Sequence, residues 1–303
     1  MSDDRLHICM TMDVERIKAC SPLGGPPDWR FAERSVRSYC GELANLGFHA
    51  TLFVVPDTAT QQSEIFRDLE TSTEAELGLH IHPQCWGDRY QDLDAYEYFG
   101  GYSGAEQRDF LEGASDQWET AIGRRPRSFR GGNFSANDET FQALVDVGFT
   151  HGSVSQPGRM VTRYRAVWAD AVWDVHRPHR AFRGSKGDLP FVEVPLTSDR
   201  RRTDHWTGVG DVRIEGATAV EIIDAARHEV TRQVEEGVSI KHVCILTHNF
   251  VNYWSDDEGM GGRLGVLKAA VEGLQSVGDD LGLEAVGSTT EDVMKAFLQA
   301  ERG

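Results

Sequence analysis

Short β-branched or apolar runs alternate with longer amphipathic stretches along the whole sequence. This alternation is typical of βα units around a parallel sheet, and it constrains the fold more than any other feature. Eight runs are predicted to be strands, namely 6–12, 50–55, 76–81, 128–130, 149–154, 191–196, 242–247 and, on weaker periodicity, 283–287. The sequence therefore predicts an α/β barrel of seven or eight units.

The stretches between the strands have the end signals of helices. Gly47 follows the amphipathic stretch 30–46, and Gly237 follows the stretch 221–236, as expected for glycines that end helices. Capping boxes predict further helix starts at Ser103 with Glu106, Thr218 with Glu221, and Ser288 with Glu291.

The chain of 303 residues is predicted to form one domain, 1–303. α/β barrels often have this length, and the sequence has no linker rich in proline, glycine or serine and no internal repeat. Strands are hard to place between residues 156 and 215, where Arg, Trp and His are frequent. We expect long loops in this segment.

Charge and cysteine content exclude several classes of protein. Acidic residues outnumber basic ones by 48 to 31, and the formal net charge of −17 disfavours nucleic acid as a partner. The sequence has no long apolar run and no secretory signal at its start, so we expect a cytoplasmic protein with no transmembrane segment. The five cysteines are odd in number and widely spaced, which predicts reduced thiols.

Two carboxylates follow the first predicted strand. In a parallel barrel the C-terminal ends of the strands meet at one mouth, so a polar residue directly after a strand is a candidate for chemistry. Asp13 and Glu15 lie two residues apart, and such a pair suggests metal binding or acid–base chemistry. The alternative is that Asp13 begins a loop and that Glu15 is solvated.

Two histidines end the third predicted strand, where His80 and His82 point to one face just before Pro83. Neutral imidazole is the commonest metal ligand, and two imidazoles with one carboxylate from a neighbouring strand complete a three-ligand site. The structural alternative, in which both histidines only fill the core or the surface, is weaker for a His-x-His pair than for a single histidine.

The fourth and seventh predicted strands each end in one further candidate. Arg130 precedes two glycines, which allow a ligand to approach the backbone closely beside a guanidinium. In isolation, this segment is better explained by a surface arginine in a glycine turn. His248 follows an uninterrupted apolar run and reaches the same mouth, and alone it is as compatible with a structural role as with a catalytic one.

Together these motifs resemble those of the polysaccharide deacetylases, the NodB-homology or carbohydrate esterase 4 family, over about residues 6–250. Thr-Met-Asp at 11–13 is similar to the family motif Thr-Phe-Asp-Asp, and residues 47–54 are similar to its Ala-Thr-Phe-Phe-Val strand. Further similar segments are Glu-Leu-Gly-Leu-His at 76–80, Phe-Arg at 129–130, Glu-Val-Pro at 193–195 and Leu-Thr-His at 246–248. The resemblance implies a distorted (β/α)7–8 barrel of the NodB-homology type.

The resemblance also implies roles for individual residues. Asp13 would be the general base, and Arg130 would orient it. His80 would be a metal ligand, and His248 would be the general acid that protonates the leaving amine.

Two positions differ from the family pattern. Val14 replaces the second aspartate of the first motif, and Gln84 replaces the second metal histidine. Glu15 and His82 are the expected substitutes, and the His-x-His-Pro form is similar to a divergent branch of the family. Glu15, His80 and His82 are therefore predicted to bind a divalent ion, zinc in the first place, with cobalt and nickel as alternatives.

The combined pattern predicts a metal-dependent hydrolase that removes an N-acyl group, N-acetyl in the first place, from an amino sugar or a related intracellular intermediate. Trp86 and Trp254 follow strand-end motifs and are predicted, with Asn249, to contact the substrate, because tryptophan offers a stacking face to a sugar ring. A non-catalytic sugar-binding protein on the same barrel is one alternative. Metal-free hydrolysis of another C–N bond, such as that of a cyclic amide, is the other.

The segment from Arg159 to Arg202 reverses the charge of the chain. It contains nine arginines and one lysine against five acids, a local balance of +5. This excess predicts either a substrate that carries phosphate, which guanidinium groups bind with directional hydrogen bonds, or arginines that pair with acids elsewhere on the surface.

Overall fold

The computed structural model describes residues 4–21, 24–83, 98–257 and 261–302. Ten strands lie in these ranges: β1 (Arg5–Val14), β2 (Ala50–Val54), β3 (Glu76–Ile81), β4 (Ser128–Gly131), β5 (His151–Gly152), β6 (Met160–Val161), β7 (Ala166–Val167), β8 (Val192–Glu193), β9 (Lys241–His248) and β10 (Glu284–Gly287). Strands β6 and β7 pair only with each other, and the other eight form one parallel sheet. Each of those eight coincides with a strand predicted from the alternation.

Eight α-helices lie between the strands in the described part of the chain: α1 (Trp29–Asn45), α2 (Pro56–Gln61), α3 (Ser63–Ser72), α4 (Gly104–Ile122), α5 (Thr140–Val147), α6 (Ala219–Glu235), α7 (Leu264–Asp280) and α8 (Thr290–Ala300). In α1, the buried residues Ala32, Val36, Tyr39 and Leu43 recur every three or four positions, which forms one apolar stripe. None of the described helices is both long and apolar enough to cross a membrane.

Most of the predicted helix ends are confirmed. Gly47 and Gly237 adopt left-handed backbone angles just after their helices, with φ of 77° and 64°. The capping boxes at Ser103 and Thr218 are both formed. The third prediction is wrong by one residue, because Thr289 caps α8 together with Asp292 while the hydroxyl of Ser288 is bonded to His7.

Strand β1 lies at the centre of the sheet. It pairs with β9 along Leu6–Asp13, so β10 and β2 share its other edge, the first at Arg5–Ile8 and the second at Met10–Val14. From β2 the sheet continues through β3, β4 and β5 to β8. This arrangement places the longest described strand between the two halves of the sheet.

The chain after β8 returns to β9 and curls the sheet. The amide of Thr197 donates to the carbonyl of Cys244 at 3.0 Å, and the amide of Cys244 donates to the hydroxyl of Thr197, also at 3.0 Å. Ile214 donates to the carbonyl of Leu246 in the same way. These bonds replace a regular ladder between β8 and β9, so the fold is a distorted α/β barrel, as predicted.

The strand registers bring the four candidate strand ends to one end of the barrel. Asp13 lies opposite His248 in the β1–β9 ladder, and His80 lies opposite Arg130 in the β3–β4 ladder. Because all of these pairings are parallel, the polar residues that end each strand lie at the same mouth. The segment 156–215 lies between β5 and α6, and its regular structure is limited to the two-residue strands β6, β7 and β8 and one short 3-10 helix, Thr162–Tyr164.

Candidate active site

Three predicted ligands converge at the mouth of the barrel. Oε1 of Glu15 lies 2.9 Å from Nε2 of His82 and 3.3 Å from Nε2 of His80, and the two Nε2 atoms are 3.1 Å apart. All three side chains are buried. No other group of three His, Cys, Asp or Glu side chains converges in this way within the described ranges.

The donor set fits a divalent ion such as zinc. Zinc–nitrogen bonds of 2.0–2.1 Å at tetrahedral angles place the ligand atoms about 3.3 Å apart, close to the spacings of this triad. Nδ1 of His80 lies 2.9 Å from the carbonyl oxygen of Arg130, so its proton is held there and Nε2 is left as a lone-pair donor. Such an orienting bond is typical of histidines that bind metals.

The charges around the triad also favour a cation. Burial alone would raise the pKa of Glu15, but His82 and His80 outweigh it and hold this pKa well below its ordinary value. Burial would likewise lower the pKa of His80, but the carboxylates of Asp13 and Glu15 outweigh it and raise this pKa. The two carboxylates that hold a proton on His80 in this arrangement would equally attract a metal ion.

Asp13 is an ionised carboxylate beside the triad. Arg130, which is fully buried, donates from Nη1 to Oδ1 of Asp13 at 2.9 Å and to Oγ1 of Thr11 at 2.8 Å. The other oxygen of Asp13 lies 3.8 Å from Nε2 of His80. Burial would raise the pKa of Asp13, but the charges of His80 and Arg130 outweigh it and lower this pKa. Asp13 can therefore accept a proton near the triad.

The glycine turn after Arg130 does not place this arginine on the surface. Its guanidinium lies over the ring of Phe53, 4.4 Å from the ring centre, and Nε donates to the carbonyl of Ser153. These contacts fix the plane of the guanidinium, and with it the orientation of Asp13.

His248 forms a second polar group at the mouth. Its Nδ1 lies 2.6 Å from Oε1 of Glu215, whose other oxygen accepts a hydrogen bond from Thr247 at 2.9 Å. The ring of Phe250 stacks on the imidazole at 4.8 Å. No described residue bonds Nε2 of His248, so this nitrogen is left for exchange of a proton with a ligand.

Sequence reasoning missed Glu215. Burial would raise its pKa, but His248 outweighs burial and lowers it, so this carboxylate stays ionised. It lies in the irregular segment before α6, and no strand or motif in the sequence marks it. Its position follows from the hydrogen bond between Ile214 and Leu246, which holds the segment against β9.

A cavity of about 440 Å³ connects these groups. This volume lies in the usual range for small-molecule sites. The cavity is lined by Asp13, Glu15, His80, His82 and His248, together with Asn133, Phe134, Trp206, Arg213, Glu215, Phe250 and five further residues.

The predicted substrate-binding residues have other positions. Asn249 is fully buried and bonds the backbone of Glu15 twice, through Oδ1 to its amide and through Nδ2 to its carbonyl, each at 3.0 Å. Trp254 packs edge-on against Phe31 and lies 4.3 Å from the guanidinium of Arg34. Asn249 therefore fixes the position of Glu15, a proposed metal ligand. Trp254 packs against Phe31 and Arg34.

Among the described tryptophans, Trp206 lines the cavity; it is 61 % exposed, and the sequence motifs did not indicate it. Trp86 and Gln84 lie outside the described residues. Trp206 belongs to the loop segment 156–215, where no periodicity in the sequence indicates which side chains reach the mouth.

The arginines near the end of that segment pair with acids. Arg200 lies 3.0 Å from Glu229, Arg201 lies 2.5 Å from Asp224, and Arg202 lies 3.3 Å from Glu221. All three of these acids belong to α6. For these arginines, the structure supports pairing on the surface over binding of a phosphate.

Comparison with known proteins relates the chain to solved structures only. No family model matches the chain, and no curated protein matches it. A protein of Mycobacterium smegmatis described as a polysaccharide deacetylase superimposes with a TM-score of 0.62 at 17 % identity, over 98 % of this chain and 91 % of the other. A protein of Pseudomonas aeruginosa PAO1 with the same description gives 0.59 at 16 % identity, over 98 % and 92 %.

The Puue allantoinase gives a TM-score of 0.58 at 15 % identity, over 97 % of this chain and 91 % of the other. At these identities the comparisons establish the fold. The chain therefore has the NodB-type barrel of polysaccharide deacetylases, as the resemblance of its motifs predicts.

Proposed function

We propose that this protein is a metal-dependent hydrolase that removes an N-acyl group, in the first place N-acetyl, from an amino sugar or a related small intermediate. The observation that carries the proposal is the convergence of Glu15, His80 and His82 beside the ionised carboxylate of Asp13. His248 lines the same cavity. The shared fold with proteins described as polysaccharide deacetylases supports the same reaction class.

Glu15, His80 and His82 would hold the ion. Mixed imidazole and carboxylate ligands suit zinc, and cobalt or nickel can occupy the same kind of site. When bound, such an ion supplies a Lewis acid and lowers the pKa of a water molecule from 15.7 toward about 7. Asn249 and the carbonyl of Arg130 orient two of the three ligands.

Asp13 is the general base of this proposal. Arg130 holds Oδ1 of Asp13, so the carboxylate has a fixed orientation and its other oxygen lies toward the triad. From this position Asp13 removes a proton from water as the water attacks the carbonyl carbon.

His248 is the general acid. An amine is too basic to leave without a proton, and Nε2 of His248 would supply that proton to the departing nitrogen. Glu215 holds Nδ1, which fixes the orientation of the ring. The stacked ring of Phe250 limits rotation of the imidazole.

Hydrolysis of another C–N bond, such as that of a cyclic amide, is the second candidate. It is favoured by the likeness to the Puue allantoinase, whose TM-score of 0.58 is close to that of the P. aeruginosa protein. A metal-free reaction of this kind would survive treatment with a chelator, and this separates it from the first proposal.

The test is a metal determination on the purified protein, followed by an activity screen. The screen uses N-acetylated amino sugars in free, nucleotide-linked and lipid-linked form, with cyclic amides as a second panel. We expect about one zinc, cobalt or nickel ion per chain and release of acetate that stops on chelation and returns with added metal. A metal-free protein that binds glycans without turnover would contradict the proposal, and chelator-resistant opening of cyclic amides would establish the second candidate.

A further inference from the structure

A strained turn lies beside the triad. Asn133 and Phe134, just after β4, both have left-handed backbone angles, with φ of 58° and 59°. Asparagine tolerates this region, but a bulky residue such as phenylalanine adopts it rarely. The preceding Gly132 touches a proposed ligand, since a Cβ there would lie 2.3 Å from the ring of His82. The turn is thus held in a rare conformation in direct contact with the candidate site.

The carboxamide of Asn133 has no partner among the described residues. Its Oδ1 is shielded from solvent without a hydrogen bond, and no described residue bonds Nδ2. Asn133 nevertheless lines the cavity that contains Asp13, Glu15 and His82. Because Oδ1 is enclosed, the NH2 group is the polar part of this side chain that remains open to a ligand.

Two explanations account for an asparagine at this position. In the first, asparagine is present only because it tolerates the left-handed backbone, and glycine would then serve at least as well. Alternatively, the side chain is used. An enclosed acceptor without a partner destabilises the fold, so internal hydrogen bonding does not explain why this carboxamide is kept.

We propose that Nδ2 of Asn133 donates a hydrogen bond to the carbonyl oxygen of the substrate's acyl group, and so selects N-acyl substrates. This inference rests on the proposed function. In this proposal the donor meets the acyl oxygen, on which negative charge develops and where a hydrogen bond contributes most to the rate. The strained turn fixes the position of the donor before the substrate binds.

The test compares Asn133→Gly, Asn133→Asp and Glu74→Gly with the wild-type chain. Glycine at 133 keeps the backbone and removes the carboxamide, and aspartate keeps the shape but replaces the donor by a charged acceptor. Glu74 also has a left-handed φ, of 53°, but lies outside the cavity, so Glu74→Gly controls for relief of strain.

Two readouts are measured. The first is the Kd of N-acetylglucosamine and of glucosamine, by calorimetry on the full chain kept metal-free with a chelator. We expect Asn133→Gly to weaken binding of N-acetylglucosamine roughly five- to tenfold, as for the loss of one hydrogen bond, without weakening that of glucosamine. The second is kcat/KM of the metal-loaded protein, which should fall about 10²-fold in Asn133→Gly and further in Asn133→Asp. Glu74→Gly should match the wild type in both.

The outcomes separate this inference from the proposed function. Unchanged Kd and kcat/KM in Asn133→Gly would overturn the inference and leave asparagine as a backbone choice. A wild-type chain that binds N-acetylglucosamine through Asn133 but never hydrolyses an N-acyl substrate would overturn the proposed function and support the inference.

Discussion

Strand β3 has a largely buried histidine–carboxylate pair at each of its ends. At its start, Glu76 lies 2.8 Å from Nε2 of His151, and at its other end His82 lies 2.9 Å from Glu15. The residue types and distances are nearly the same. What differs is the number of other partners that each pair has.

In the pair at the start of β3, both oxygens of Glu76 and both ring nitrogens of His151 have hydrogen-bond partners. Glu76 also accepts hydrogen bonds from the hydroxyls of Thr51 and Thr290 and from the amide of Glu291 at the start of α8. His151 uses its second ring nitrogen toward Thr150. These bonds tie the strand, the helix and the neighbouring loop together, which is a structural role.

The pair at the mouth, Glu15 and His82, shares a third partner, His80, and the ligand atoms of all three point to one place. One oxygen of Glu15 serves two imidazole nitrogens that lie only 3.1 Å apart, and Nδ1 of His82 has no described partner. Ligand atoms that point to one place are stabilised more by a shared cation than by contacts with one another. Convergence, more than burial or residue type, therefore separates a candidate site from a structural ion pair.

The largest effect is expected from replacing the three proposed metal ligands at the mouth. Replacing Glu15, His80 or His82 by alanine should abolish metal binding and activity together, because three ligands are the minimum for a catalytic metal site. His151→Ala is the matched control and should keep metal and activity while lowering thermal stability. Metal content per chain, turnover and Tm check this. Stoichiometric metal in both His80→Ala and His82→Ala would contradict the assignment.

Asp13→Asn should separate metal binding from proton transfer at the same mouth. The amide keeps the shape but cannot accept the proton, so we expect kcat to fall by about 10² to 10⁴ with normal metal content. Steady-state kinetics beside a metal assay measure both quantities. Full activity at normal metal content would exclude Asp13 as the base.

His248→Ala should change how the rate depends on pH. A base and an acid acting together give a bell-shaped profile, and loss of the acid should remove its alkaline limb and lower the rate roughly 10²-fold without loss of metal. Glu215→Gln should have a smaller effect, because the ring keeps a hydrogen-bond partner at Nδ1. A variant at residue 248 that retains the alkaline limb at full rate would rule out this role.

Glu76→Gln should affect stability and leave turnover unchanged. Burial would raise the pKa of Glu76, but His151 and several hydrogen bonds outweigh it and lower the pKa from 4.5 to about 2. Because the folded-state pKa is depressed, this stabilisation is complete above about pH 4.5 and is lost as the pH falls toward about 2.

The shift corresponds to about 3 kcal/mol at most. Urea unfolding at pH 7 and at pH 3 measures it, and the free-energy difference between variant and wild type should shrink at the lower pH. A Glu76→Gln variant as stable as the wild type at pH 7 would show that the Glu76–His151 pair does not stabilise the fold.

The smallest effect is expected at the arginines that pair with α6. Replacing Arg200, Arg201 and Arg202 by glutamine removes ion pairs of arginines whose side chains are 29 %, 39 % and 44 % exposed, and pairs this open to solvent are typically worth about 1 kcal/mol or less each. KM should stay the same for free and for nucleotide-linked N-acetyl sugars. A rise in KM for the linked sugar alone, growing at low ionic strength, would restore the alternative of phosphate binding.

Strand ends could be predicted from the sequence because their signal is local. An apolar run followed by a polar residue gives both the element and the end at which that residue lies, and so located Asp13, His80, Arg130 and His248. The same reasoning does not determine how Trp254 is used, because an aromatic residue after a strand end can also pack against a neighbouring side chain, here Phe31.

The sequence by itself determined the parallel barrel, its strands and the residue types that end them, because the periodicity of apolar residues depends only on positions close together in the chain. Only the tertiary structure decided that Glu215 reaches His248, that Trp206 faces the cavity and that Asn133 lies beside the triad with no partner for its carboxamide among the described residues. Glu215 and Trp206 lie in an irregular segment and Asn133 in a strained turn. Their positions depend on contacts with distant strands, such as that of Ile214 with β9, and no local pattern encodes such contacts.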